Sequence, residues 1–191
     1  MNENTSALPD IRKIIVIPLF SALITVGAYV IIPLGPIPLV LQNFFVVLCG
    51  MVLGPAAGAA SLGLYLLMGC IGLPVFAGGT GGLAHFAAPT AGYLLSYPAA
   101  AALAGFLSSR SRKKSGLLLY IRNLIAALAA FFFILAAGVT WLKFRLGLSW
   151  WAAIVMGLLP FIAGDIIKSL AAAFLAPRLR ELFRAEGIGD S

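Results

Sequence analysis

LVLQNFFVVLCGMVLGPAAGAASLGLYLLMGCIGL, from Leu39 to Leu73, contains no Asp, Glu, Lys or Arg. It is broken only by Gly54-Pro55, a pair that ends one helix and starts the next. The silence continues on both sides, because no such residue occurs anywhere from Ile14 to Ser109. One helix crosses a bilayer with about 20 apolar residues, so this run alone holds several spans. Hydrophobic residues make up 62% of the chain and charged residues 10%, and mean hydropathy is +1.07. Soluble domains carry about 25% charged residues, which excludes a water-soluble globule. Strand alternation is absent, which argues against a transmembrane barrel.

Breakers divide the 191 residues into six apolar segments, near 14–32, 39–53, 56–73, 90–107, 117–142 and 150–176. The reading is all-α: a single integral membrane domain over 1–191, a bundle of six transmembrane helices. The first segment is too long, and too plainly continued by others, to be a cleaved signal peptide. Six spans put both termini on one side, with connections two and four. That side carries Arg12, Lys13, Arg110, Arg112, Lys113, Lys114, Arg122, Arg178, Arg180 and Arg184, against Lys143 and Arg145 on the other. The imbalance predicts cytoplasmic termini. It also explains the net charge of +7 without nucleic acid, since no basic stripe interleaved with aromatics appears.

Asp165 and Lys168 are the only charged residues between Ser149 and Pro177. A charge at the centre of a membrane helix costs roughly 2.5–3.5 kcal/mol on insertion scales. Their i,i+3 spacing puts both on one helical face, where they can neutralise each other and point at one cavity. Pro160 lies five residues before Asp165. It removes an intrahelical hydrogen bond, and carbonyls freed at membrane depth can line a cavity. The pair is either a binding site or a structural ion pair that fixes helix register.

Other chemistries lack their residues. The sole histidine, His85, lies in a connection and reads as loop. No His-Glu-x-x-His, Gly-x-Ser-x-Gly elbow or P-loop occurs, so neither an enzyme nor an ATPase is indicated. Cys49 and Cys70 lie in apolar segments without metal-ligand spacing. No metal site and no cofactor of its own are expected.

Several motifs together carry a family likeness. They are Ile32-Pro33-Leu34-Gly35-Pro36-Ile37-Pro38 with Leu41-Gln42 and Phe44, then Gly54-Pro55, and Gly72-Leu73-Pro74-Val75-Phe76. After them come Ala77-Gly78-Gly79-Thr80-Gly81-Gly82, Pro89-Thr90-Ala91-Gly92-Tyr93-Leu94, and Leu159-Pro160-Phe161 with Gly164-Asp165 and Lys168. Over about residues 14–180 the chain resembles the BioY family, the biotin-capturing S components of energy-coupling-factor transporters. It departs from the family pattern at Asn43, Ala91 and His85-Phe86-Ala87-Ala88.

The resemblance implies a six-helix bundle in the bacterial cell membrane that binds biotin from outside, with its loops closed over the ligand. It implies partners as well: a transmembrane coupling protein and two cytoplasmic ATPases, which alone would use ATP. Asp165 and Lys168 would serve one end of biotin and the loops the other. Phe76, Tyr93, Phe44 and one of Trp141 and Trp150 would supply apolar walls. Gln42 is either a pocket contact or an interhelical hydrogen bond. Gly78, Gly79, Gly81 and Gly82 either cap the ligand with backbone amides or form a tight turn that touches nothing. Tyr93 and Tyr65 also fit an interfacial belt. Ser21, Ala22, Thr25 and Ala28 form a small-residue stripe on the first helix, the kind of surface on which S components dock the coupling protein. An autonomous secondary transporter of another small carboxylate or vitamin is the alternative.

Overall fold

Glycine and proline set most helix ends in the computed structural model, which describes residues 7–32, 39–109 and 116–185, with side chains from Ile14 to Phe183. The connection 33–38, the basic run 110–115, both termini and the side chains of Arg12, Lys13 and Arg184 lie outside the described residues. Helix α1 spans Ala7–Tyr29. A short antiparallel ladder follows, β1 (Ile31–Ile32) paired with β2 (Leu39–Val40). Then come α2 (Gln42–Leu53) and α3 (Pro55–Cys70), turned at Gly54 with φ 85°. Pro55 sits in the first turn of α3, where its missing N–H costs nothing.

A connection containing a 3-10 turn at Leu83–Ala87 leads to α4 (Ala91–Ser109). Helix α5 (Leu117–Leu146) ends on left-handed Gly147, whose N–H bonds back to the carbonyl of Lys143, a C-terminal glycine stop. It runs beyond the segment read from sequence, so Lys143 and Arg145 belong to its last turn, where cations complement the helix dipole. The sixth segment is two helices. α6 (Trp150–Gly157) starts on Ser149, which accepts from the Ala152 amide. A 3-10 turn at Leu159–Phe161 follows, and α7 spans Ile162–Ala185. Pro160 is the cause, since it cannot donate into the ladder.

Among the described residues, three helical stretches are long and apolar enough to cross a membrane: α4, α5 and the joined α6–α7. The helices at Ile14–Tyr29, Gln42–Leu53 and Pro55–Cys70 are apolar but shorter. At 1.5 Å per residue the 12 residues of α2 reach only about 18 Å. The rest of that layer is filled by the β ladder and the α3–α4 connection, and that end of the bundle holds the cavity.

α4 is the central helix, packed on α2, α3 and α5. Small residues permit this closeness. A Cβ on Gly50 would lie 2.0 Å from the Ala101 carbonyl oxygen, and one on Gly105 would lie 2.6 Å from that of Gly50. At the opposite end, Arg180 of α7 donates to the Met51 carbonyl and, at 2.6 Å, to the Ser108 hydroxyl, tying α7 to the ends of α2 and α4.

Candidate functional site

Four pieces of chain meet over the start of α2. Gln42 and Asn43 open that helix, Thr90 ends the α3–α4 connection, and Tyr93, Leu94 and Tyr97 occupy the first two turns of α4. Phe76, Ala77 and His85 come from the α3–α4 connection, which forms a cap. With Val40, Leu135 and Phe161 they line a partly open cavity of about 220 Å³. At about 30 Å³ per water that is room for some seven waters, far beyond a packing flaw. Its lining is mostly apolar with a few polar groups, the usual character of a small-ligand site.

The polar groups are tied down from behind. Gln42, 2% exposed, donates to the Tyr65 hydroxyl at 2.7 Å, and Tyr65 donates to the Val75 carbonyl at 3.0 Å. Gln42 therefore fills both sequence-derived roles, as an interhelical hydrogen bond whose amide also faces the cavity. Tyr97 donates to Asn43 Oδ1 at 2.7 Å. Asn43 Nδ2 has no partner among the described residues and is free to donate. Tyr93 donates to the Gly157 carbonyl at 2.7 Å. That carbonyl is freed at the α6–α7 break, where the Phe161 amide bonds to Leu158 instead. The proline-disrupted turn thus serves to fix a wall residue.

Lys168 Nζ lies 3.1 Å from Asp165 Oδ1 and donates to the Val40 carbonyl at 3.0 Å. They are the only charged residues among the buried ones described, at 4% and 7% exposure. Asp165 Oδ2 is buried without a partner. The pair does not itself line the cavity, contrary to the expectation that both side chains point into it. Val40 and Phe161 line it, and Lys168 reaches the wall through the Val40 carbonyl.

The other expected residues divide. Phe76 and Tyr93 are walls, whereas Phe44 is not, being packed edge-on against Phe45. Gly78, Gly79 and Gly82 have φ of 77°, 69° and 97°, and a Cβ on Gly81 would strike the Leu73 carbonyl at 2.2 Å. None of the four lines the cavity. They form the tight turn that presents Phe76 and Ala77, since only glycine adopts such φ values without strain. Tyr65 is fully buried rather than interfacial. Trp150 is exposed and holds Lys143 over its ring.

The expected docking stripe is not one surface. Ser21 and Ala28 are fully buried with Val16, Phe20 and Ile24. Ser21 donates to the Ser61 carbonyl of α3 at 2.7 Å. Thr25 is half-buried and Ala22 exposed. Seven residues apart on a helix, Ser21 and Ala28 share the inward face.

Asn43, Ala77, His85, Thr90, Leu94, Tyr97, Leu135 and Phe161 were not singled out as site residues from sequence. The departures from the family pattern at Asn43 and His85 were the available signal for those two. Ala77, Thr90, Leu94 and Phe161 fall inside the motifs that carry the family likeness, but residue type gave none of them a cavity role.

Side chains from three helices hold the cap. Tyr29 donates to the Pro74 carbonyl at 2.6 Å, and Tyr65 binds Val75 as above. On the far side Trp141 Nε1 donates to the Ala88 carbonyl at 3.0 Å, and Arg145 donates to Ala87 at 2.6 Å. Trp141→Phe removes one of these donors with little change of volume. Hydrogen exchange by mass spectrometry is expected to speed up in residues 83–91 while global unfolding stays put, because loosely held segments open locally. Unchanged exchange there would show that Trp141 does not hold the cap.

A sequence model of the BioY family matches residues 1–185. The biotin transporter BioY of Thermotoga maritima is 40% identical over 171 residues, covering 90% of this chain and 97% of that protein. The biotin transporter BioY of Rhizobium etli is 40% identical over 170 residues, covering 86% and 90%. Among solved structures, the S-component for biotin from an ECF-type ABC transporter superposes with a TM-score of 0.83 at 31% identity, covering 95% of each chain.

Proposed function

The chain belongs to the BioY family, and from that premise we propose that it binds biotin and serves its uptake as the substrate-specific subunit of an energy-coupling-factor transporter. It is a membrane transport protein, not an enzyme. The observation that carries the reading is the capped cavity of about 220 Å³ backed by a buried ion pair, in a chain whose relatives are biotin transporters.

Biotin presents a ureido bicycle, an apolar tail and a carboxylate. The tail suits the aromatic walls Phe76, Tyr93 and Phe161. Asn43 Nδ2 can donate to the ureido carbonyl, and Gln42 Oε1 can accept from a ureido N–H. The unpartnered Oδ2 of Asp165 calls for a further N–H donor, so the pair serves the ureido end once Val40 and Phe161 part.

The chain is one membrane domain of six spans, α6 and α7 together making the sixth. Both termini face the bacterial cytoplasm, on the strength of the lysine and arginine imbalance. The cap then faces outside. No P-loop occurs in the sequence, so the chain does not hydrolyse ATP by that route. Power comes from partners: a transmembrane coupling protein and two ATPases. On α1 the surface open to a partner includes Ala22, not Ser21 or Ala28.

Isothermal titration of the purified chain in detergent is expected to give saturable biotin binding at one site per chain. A flat titration on folded protein would remove biotin as the ligand.

A further inference from the structure

Two polar side chains that line the cavity lack a hydrogen-bond partner among the described residues. His85 and Thr90 line the space from the cap side, and neither makes a side-chain hydrogen bond among the described residues. On the other side, the carboxamides of Gln42 and Asn43 are held by Tyr65 and Tyr97. His85 is also the one lining residue able to carry a positive charge. Its ring is braced edge-on by Phe76, with centroids 5.3 Å apart at 61°, which limits its rotation.

Resting on the biotin reading above, we propose that His85, with Thr90, receives the ligand carboxylate beneath the cap and so fixes which way round biotin lies. Imidazole donates a hydrogen bond from one nitrogen when neutral and from both when protonated, and a hydroxyl adds one more donor. Lys168 is the competing cation, but its charge is already matched by Asp165 at 3.1 Å. A second carboxylate there would face the buried, unpartnered Oδ2 of Asp165, and like charges so close repel. A ureido N–H would satisfy that oxygen. Each end of the ligand is thereby sorted to the site that lacks its partner.

The test is titration calorimetry of the full chain in detergent with biotin and with its neutral primary amide. The parent is expected to favour biotin by about tenfold, the scale of one charge-assisted hydrogen bond. His85→Leu is expected to bring the two ligands within about threefold of each other, mainly by weakening biotin. His85→Gln, which keeps an N–H donor, should retain most of the preference. An unchanged ratio in His85→Leu overturns the assignment. So does equal weakening of both ligands, which would make His85 only a packing partner of Phe76, and so does a parent that binds both equally. A parent that binds neither ligand overturns the biotin reading itself.

Discussion

Lys168→Met by itself is expected to destabilise the chain severely, and Asp165→Asn added to it should restore much of the loss without restoring ligand binding. Lys168 bonds both Asp165 and the Val40 carbonyl inside the bundle. Removing it strands a buried carboxylate, and breaking a buried pair from one side costs about 3–5 kcal/mol. Neutralising the partner removes most of that penalty, because replacing both charges is often close to neutral. Binding follows different logic. If the ionised Asp165 accepts from the ureido group, the double variant offers there only a neutral amide with one acceptor oxygen and a competing N–H donor, and the single variant has lost the support of Lys168. Denaturant unfolding in detergent, with calorimetry on the same samples, separates the two roles. Biotin affinity is expected to stay at least about tenfold weaker in both variants. A stable double variant with parental affinity would reduce the pair to a device that sets helix register.

Gly138→Ala should damage the cavity although Gly138 does not line it. A Cβ there would lie 2.1 Å from the Tyr93 ring. Tyr93 cannot simply retreat, since its hydroxyl holds the Gly157 carbonyl at 2.7 Å and the ring packs against Phe161. The ring must shift into the cavity or break that bond. Overpacking of this kind costs about 1–3 kcal/mol. A loss of about 2 kcal/mol in biotin affinity corresponds to roughly thirtyfold. Gly63→Ala is the control, because a Cβ at Gly63 meets nothing within 4 Å and alanine favours a helix. Parental affinity in Gly138→Ala would mean that Tyr93 is free to move and is not a fixed wall.

Helix positions were legible because punctuation is local. Gly54-Pro55 and Gly147 act on their own backbone, and their effect follows from the residue alone. Pro160 was legible as a disturbance but not as a full break, since many membrane helices absorb a proline. Asp165 and Lys168 were legible as a pair, because two isolated charges one turn apart in an apolar stretch have only each other. Their neighbours were not. Phe161 and Val40 line the cavity and the pair does not, and nothing in their own residue type distinguishes them from the other apolar side chains of the chain.

The stripe on α1 failed for a related reason. In a soluble helix the polar face gives the apolar face its direction. In a membrane helix, lipid and core are both apolar, so the sequence gives no phase. Ile14, Ile15 and Val26 are exposed, whereas Val16 and Ile24 are buried. Composition could not have assigned them. Length, charge silence, breakers and the lone ion pair therefore determined that this is a bundle of apolar helices with an internal polar site. Which face of each helix looks inward, and so which side chains share the cavity, came from contacts between segments far apart in the chain. Tyr93 meeting Gly157 and Lys168 meeting Val40 are long-range events, and only close packing of the whole bundle selects them.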